Sequence, residues 1–304
     1  MGGTVMISLV GEQPVPNLLA VLHAQPEHAV FVCTERTKGV SERLRSVLRD
    51  CSISVKAARE EETKGSDDLV EVHPYDMVDI ESKLKMVIKE RNWSPDKIIF
   101  NLTGGTKPMA LAAYRLAEQF SSPFLYVQSE GKKSVVYHYR FFDGAPVLER
   151  VDEVPPVLNI DLYLRVHLGE YTEGEFKNDF EKRVAGVLQQ KLDQIKTSVK
   201  PTNALEIDLV LRCGNRVGIA EVKSGNKALS KEGIDQLNTA AEPRFLGTYT
   251  KKFLILDREY GSNNLELARA HGITVIELPS AQKGELSEED MEKLIQTVTR
   301  ELGG

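Results

Sequence analysis

The segments Ala204-Leu-Glu-Ile-Asp208-Leu-Val210 and Gly218-Ile-Ala-Glu221-Val-Lys223-Ser-Gly225 read as two neighbouring strands joined by a tight turn at Cys213-Gly-Asn215. Each is an apolar run interrupted by charge. A carboxylate in such a run is costly to bury unless it is paired or bound to a metal. Side chains alternate along a strand, so Glu221 and Lys223 share one face, and Asp208 can meet them across the hairpin. Upstream, a helix is expected from about Glu175 to Ile195, with Phe180, Val184, Val187, Leu188, Leu192 and Ile195 as its apolar stripe. Glu181 lies at the edge of that stripe and can reach the same cleft.

Each residue type has a chemical use. Asp208 and Glu221 are hard oxygen ligands suited to Mg²⁺ or Mn²⁺, and the Val222 carbonyl can supply another. Glu181 can complete the shell or hold a water. Lys223 can orient an attacking water, take its proton or neutralise a pentavalent phosphate. A metal there lowers the pKa of water and stabilises charge on phosphoryl oxygens, which points to phosphodiester hydrolysis. The plainer alternative is an edge-strand ion pair between Glu221 and Lys223, with Asp208 paired elsewhere.

Beyond this hairpin, strands are expected at Phe253 to Leu256 and Ile273 to Ile276, with helices at Ile234 to Ala241, Leu265 to His271 and Ser287 to Leu302. Ser287, with Asp290 three residues on, resembles a capping box. The first half alternates strands (Val5 to Val10, His28 to Cys33, Ser52 to Lys56, Lys97 to Asn101, Phe124 to Gln128, Ser134 to Tyr139) with helices (from Pro16, Val40 to Arg49, Tyr75 to Glu90, Pro108 to Ala117). This α/β alternation implies a mostly parallel sheet with helices on both faces and an antiparallel edge. Asn101-Leu-Thr103-Gly104-Gly105-Thr106-Lys107 falls between a strand and a helix. Its glycines allow a sharp turn and close approach to a ligand, and Lys107 adds charge where helix amides can face phosphate. It matches neither the GxxxxGK[ST] nor the GxGxxG pattern. Gly11-Glu12-Gln13-Pro14 and Thr34-Glu-Arg36-Thr37 follow two other strands, so all three loops are expected at the carboxyl ends of parallel strands, where open sheets bind ligands.

The chain has 304 residues, enough for two ordinary domains, and 41% hydrophobic content, enough for two cores. The prolines at Val151-Asp-Glu-Val-Pro155-Pro156 suggest domains at 1–150 and 175–304 with a connector at 151–174 that includes a short helix at Leu158 to Leu168. A net charge of -6 argues against a general nucleic-acid coat protein but permits a local basic groove. No apolar run is long enough to span a membrane, and the three scattered cysteines form no CxxC pair, so a cytoplasmic protein with reduced thiols is expected.

The Thr103-Gly-Gly-Thr-Lys107 turn closely resembles the signature of the CRISPR-associated Rossmann-fold sensor domain. That resemblance implies a Rossmann-like fold and a cyclic oligoadenylate bound across a two-fold homodimer interface. Thr34, Arg36, Thr103, Gly104, Gly105, Thr106 and Lys107 are then the candidate contacts, with Gly11, Glu12 and Gln13 as weaker ones. Glu181, Asp208 and Glu221-Val-Lys223 resemble the core of the PD-(D/E)XK nuclease superfamily, which implies a restriction-endonuclease-like mixed α/β domain. Gln236, in Asp235-Gln-Leu237, resembles the glutamine often found on the following helix, which touches substrate or a water. Leu-Glu-Ile before Asp208 departs from the usual proline. Together the halves resemble a type III CRISPR accessory nuclease family, activated by cyclic oligoadenylate, with the tetra-adenylate ring favoured. Its members cut single-stranded RNA or DNA, and some nick duplex DNA. Three other readings stay open: a non-catalytic regulator that binds ring and nucleic acid, a transcriptional regulator, and a nuclease acting on its own activator.

Overall fold

The computed structural model describes residues 4–51, 68–130, 133–202, 205–243, 245–247 and 249–303. It divides into two compact units, Met1–Val157 and Leu158–Gly304. Both are α/β, the first built on a largely parallel sheet and the second on a mixed one.

The first unit runs β1 (Val5–Leu9), α1 (Val15–Ala24), β2 (His28–Cys33), α2 (Lys38–Asp50), β3 (Leu69–Glu71), α3 (Met77–Glu90), β4 (Ile98–Asn101), α4 (Lys107–Phe120), β5 (Phe124–Glu130), β6 (Lys133–Phe142) and β7 (Ala145–Glu153). The described strands order as β3-β2-β1-β4-β5-β6-β7. They pair in parallel from β3 to β5 and antiparallel from β5 to β7. Every residue of β1 is buried, as a central strand covered on both faces requires. Val5, Ile7 and Leu9 pack with Ile80, Leu84 and Ile88 of α3 and with Met109, Ala112 and Leu116 of α4. The intervening Met6 and Ser8 face the opposite side, where α1 lies. Strand order reverses beside β1, so the loops after β1 and β4 meet at a switch point.

The second unit runs α5 (Ile160–Leu168), β8 (Thr172–Glu173), α6 (Asp179–Leu188), β9 (Gln194–Thr202), β10 (Leu205–Cys213), β11 (Arg216–Lys223), α7 (Glu232–Ala240), β12 (Lys251–Leu256), α8 (Ser262–Ala270), β13 (Ile273–Glu277) and α9 (Glu288–Leu302). Its described strands order as β13-β12-β11-β10-β9-β8, parallel from β13 to β11 and antiparallel beyond. One core joins Phe180, Val184 and Leu188 of α6 and Leu294, Val298 and Leu302 of α9 to Leu209, Leu211, Ala220 and Val222 of the sheet. The alternate residues Asp208, Glu221 and Lys223 therefore lie on the opposite face, beside α7. Ser287 caps α9, its hydroxyl accepting from Asp290 N as the capping pattern predicts.

Several elements differ from the sequence expectation. The long helix to Ile195 ends at Leu188, and β9 follows it. Leu192 and Ile195 keep their place against the core but reach it from a turn and a strand. Strand β7, which carries Pro146 and several charges, is not among the expected strands, and its last residues fall in the expected connector. As an edge strand exposed along nearly its whole length, it has no need of an apolar pattern. The expected strand at 52–56 lies outside the described residues, and β3 occupies that edge of the sheet. Helix α5 and strand β8 cluster with the second unit, the chain dividing between Val157 and Leu158. Among the described residues, no helix is long and apolar enough to cross a membrane.

Candidate functional site

In the second unit, the β10–β11 ladder is recorded from Cys213↔Arg216 to Leu209↔Ala220. Beyond that pair, the Asp208 carboxylate replaces a backbone acceptor and takes the Val222 N–H on Oδ2 at 2.9 Å. In an extended strand a residue's N–H and C=O point to the same side, so the Val222 carbonyl also faces Asp208. Lys223 Nζ lies 2.6 Å from Glu221 Oε2 and 3.4 Å from Asp208 Oδ2. All three side chains are buried. Two carboxylates thus converge on one ammonium, next to the Val222 carbonyl.

Lys177 adds a second ammonium that sequence reading missed. Its Nζ lies 2.8 Å from Asp208 Oδ1 and 3.2 Å from Glu206 Oε2. It sits in the polar stretch before α6, and no periodicity marks it. Glu181 is close but differently engaged. Its Oε2 accepts from Lys177 N at 2.9 Å, and its Oε1 accepts from Asn178 Nδ2 at 2.7 Å. Asn178 in turn caps α6 by accepting from Glu181 N at 3.0 Å. Asn178-x-x-Glu181 is a capping-box spacing, and that is a sequence signal for a helix start rather than for a ligand. Among the described residues, no set of three carboxylates that includes Glu181 brings its oxygens within 4.8 Å of one another. Gln236 lies on α7 and lines a cavity of about 510 Å³ together with Glu206, Lys231 and Asp235. Its Oε1 is closed off from solvent and unpartnered among the described residues.

The electrostatics follow from the crowding. Burial works against the charge on Lys223, but Glu221 and Asp208 outweigh it and hold its pKa above the ordinary value. In this arrangement Lys223 is a cation and a donor rather than a proton acceptor. Burial also opposes ionisation of Asp208, yet Lys223, Lys177 and the Val222 N–H keep its pKa low. Glu221 goes the other way: burial and the Asp208 charge push it up to about 8. The donor set fits a hard divalent cation, since two oxygen-bearing groups and a carbonyl face one point already claimed by positive charge.

The raised Glu221 pKa carries a stability prediction. Between about pH 4.5 and 8 the metal-free folded chain holds a proton that the unfolded chain has lost. Its contribution is full below the unfolded pKa and is lost as pH rises through 8. In chelator, the denaturation midpoint of the wild type should therefore fall relative to Glu221→Gln between pH 5 and pH 8.5. Parallel pH profiles for the two proteins would contradict it.

In the first unit, the loops after β1 and β4 are pressed together. A Cβ on Gly104 would lie 2.2 Å from the Leu9 carbonyl oxygen and 3.0 Å from Gly11 N. Gly105 has φ of +77°, the left-handed region that favours glycine. Buried Asn17 and Asn101, which sequence reading did not assign, organise this junction. Asn17 Nδ2 donates to Leu9 O at 3.2 Å, and Asn101 Nδ2 donates to Asn17 Oδ1 at 3.0 Å. The hydroxyls of the motif are already engaged. Thr103 Oγ1 donates to Asn101 Oδ1 and accepts from Val127 N, and Thr106 Oγ1 donates to Pro74 O. Thr34 is buried, its N–H donating to Thr37 Oγ1 at 3.0 Å. Glu12 and Arg36 pair with each other at the surface, which links the first two loops, and Gln13 is half-buried beside them. Lys107 is exposed at the first residue of α4 and has no charged partner among the described residues. The structure thus leaves Lys107, Arg36 and the Gly104–Gly105 backbone facing outward, while the threonines hold the loops in shape.

A switch-point sheet with a glycine-pressed loop and a lysine at a helix start defines an open α/β domain of the Rossmann-like class. Residues 5–151 match the family model of the Card1 CARF domain, nearly the whole of the first unit. No curated protein matches the chain by sequence. Among solved structures, protein VC1899 from Vibrio cholerae is similar at 14% identity, with a TM-score of 0.72 over 99% of both chains. Can2 from Sulfobacillus thermosulfidooxidans, solved in complex with cyclic tetra-adenylate, is similar at 16% identity, with a TM-score of 0.68 over 97% of this chain and 96% of that one. A type III CRISPR defence DNA nuclease activated by cyclic oligoadenylate is similar at 16% identity and a TM-score of 0.53, over 86% of this chain but 46% of that one. At these identities the likeness shows a shared fold, spanning both units for the first two structures.

Proposed function

We propose that the protein is a metal-dependent nuclease of type III CRISPR defence, switched on in the cytoplasm by a cyclic oligoadenylate. The observation that carries the catalytic half is the convergence of Asp208, Glu221 and Lys223 in one buried cluster. The regulatory half rests on the CARF match over residues 5–151 and on the outward-facing Gly104-Gly105-Thr-Lys107 turn. Can2 holds cyclic tetra-adenylate on a similar fold, which favours that ring as the activator here.

Asp208, Glu221 and the Val222 carbonyl would hold Mg²⁺ or Mn²⁺, which supplies Lewis-acid stabilisation of a phosphoryl group. Lys223, kept cationic by its neighbours, donates to the phosphate oxygens and positions the scissile group. Lys177 neutralises Asp208 in the metal-free protein and is exposed enough to turn towards a phosphate when a cation replaces it. Glu181 holds the loop that carries Lys177 and can orient a water at the rim. Gln236, which lines the cavity beside Lys231 and Asp235, offers a contact to a nucleotide. We place the ring in a pocket shared by two copies of the chain, with Lys107 and Arg36 of each facing its phosphates. The ring acts only through a difference in affinity between two arrangements of the protein.

The decisive assay combines purified protein, Mg²⁺ or Mn²⁺, each ring size, and labelled single-stranded RNA, single-stranded DNA and supercoiled plasmid. Cleavage should need both metal and one ring. Ring and nucleic-acid binding without any cleavage would favour a regulator instead. Lys107→Ala should leave the fold and metal affinity unchanged but weaken ring binding about tenfold or more, as loss of a charge-assisted phosphate contact in each copy does. Equal ring affinity in titration calorimetry would remove Lys107 from the pocket.

A further inference from the structure

We propose a second metal site, in the first unit, formed by His23, His138 and Asp152 and selective for a borderline divalent ion such as Zn²⁺. It does not depend on the reading of the second unit. His23 lies in the last turn of α1, His138 on β6 and Asp152 on β7. In the β6–β7 ladder His138 pairs with Arg150 and Val136 with Asp152, so His138 and Asp152 are diagonal neighbours on one sheet face. His23 reaches that face from α1.

The three ligand atoms all lie within 4.8 Å of one another. Asp152 Oδ2 is 3.4 Å from His23 Nε2 and 3.0 Å from His138 Nε2. Tetrahedral zinc with bonds near 2.05 Å sets its ligand atoms about 3.3 Å apart, which the two distances to Asp152 already approach, and the two imidazole nitrogens, within 4.8 Å of each other, would close by side-chain adjustment. A long hydrogen bond joins His23 Nε2 and Asp152 Oδ2 at 3.4 Å, and it leaves His138 unaccounted for. His138 Nε2 is shut off from solvent and makes no aligned hydrogen bond in spite of its short distance to Asp152. The two imidazoles are tilted by 45° with centroids 6.2 Å apart, so they are not stacked. Arg150 Nε donates to Asp152 Oδ2 at 2.9 Å, the kind of outer contact that fixes a ligating carboxylate.

Two imidazoles and one carboxylate suit Zn²⁺, Co²⁺ or Ni²⁺ far better than Mg²⁺ or Ca²⁺. The site would therefore discriminate against the hard ion proposed for the second unit. The three side chains are only partly buried, at 17%, 13% and 31% exposure. Its effect would be to clamp the end of α1 to the outer hairpin. The other end of α1 follows the Gly11–Pro14 loop directly, so the clamp would steady one wall of the proposed ring pocket.

The test uses the full chain carrying Glu221→Gln, which disables the other cation site, after chelator treatment. Zn²⁺ titrated by calorimetry should bind once per chain, and Co²⁺ should give a visible ligand-field band. Adding His23→Gln or Asp152→Asn should weaken Zn²⁺ at least about tenfold and remove the Co²⁺ band. His23 sits at a helix end and Asp152 on an edge strand, so both variants should fold, as near-ultraviolet circular dichroism will show. Zn²⁺ affinity and Co²⁺ spectrum unchanged in both variants, or no Zn²⁺ binding in the parent, would overturn the proposal.

Discussion

Glu221→Gln is expected to slow metal-dependent cleavage about a thousandfold or more while leaving ring affinity at the wild-type level. Gln keeps the volume of the side chain and its ability to accept from Lys223 but cannot supply a negative ligand. Stabilisation worth several kcal/mol in the transition state depends on the cation, and each 1.36 kcal/mol is tenfold in rate. Loss of folding would not explain the result. With its pKa pushed up to about 8, Glu221 is largely protonated in the metal-free protein at neutral pH, and Gln resembles that form. Asp208→Asn is a less clean probe, because Asp208 also holds the Val222 N–H, Lys177 and Lys223. Single-turnover cleavage with ring in excess measures the effect, and a rate within threefold of wild type would remove Glu221 from the chemistry.

Gly104→Ala should have the largest effect in the first unit. The added Cβ would meet the Leu9 carbonyl oxygen at 2.2 Å, and two further polar atoms, Gly11 N and Asn17 Nδ2, stand at 3.0 and 3.1 Å. Two of these three are backbone atoms of the adjacent strand and loop, so neither can swing away. The loop or the start of β1's exit must move, at a cost of about 3 kcal/mol or more. Gly144→Ala is the control: its φ is positive, at +77°, unlike that of Gly104, but its Cβ would meet nothing within 4 Å. The expected outcome is a clear drop in thermal midpoint and loss of ring-dependent activation for Gly104→Ala, against a small drop for Gly144→Ala. Similar behaviour of the two variants would mean that close contact between the loops is not what this glycine provides.

The parts legible in sequence were those where a residue type contradicts its surroundings. Asp208, Glu221 and Lys223 are charges inside apolar strands, and the two glycines before Thr106 and Lys107 interrupt a strand-to-helix passage. Both anomalies mark places where the fold gives up stability for something else. Lys177 left no such mark, since a lysine in a polar loop is ordinary until folding brings it to Asp208, 31 residues away. Asn17 and Asn101 were hidden for the opposite reason: each sits in an apolar run that reads as core, and only the fold shows their side chains bonding across two loops. The expected helix overran the start of β9 because Leu188, Leu192 and Ile195 keep a helical spacing that the core satisfies by another route. Glu181 stands out at the edge of the apolar stripe of α6, and its carboxylate accepts from Lys177 N and Asn178 Nδ2 at the start of that helix.

The proposed nuclease activity depends on where a divalent cation binds in the second unit. Crystals soaked in Mn²⁺, with anomalous scattering collected at the manganese edge, locate it directly. The account predicts an anomalous peak within coordination distance of Asp208, Glu221 and the Val222 carbonyl, lost in crystals of Glu221→Gln. A fully occupied peak elsewhere in the second unit, with Asp208 and Glu221 still paired to Lys177 and Lys223, would contradict it.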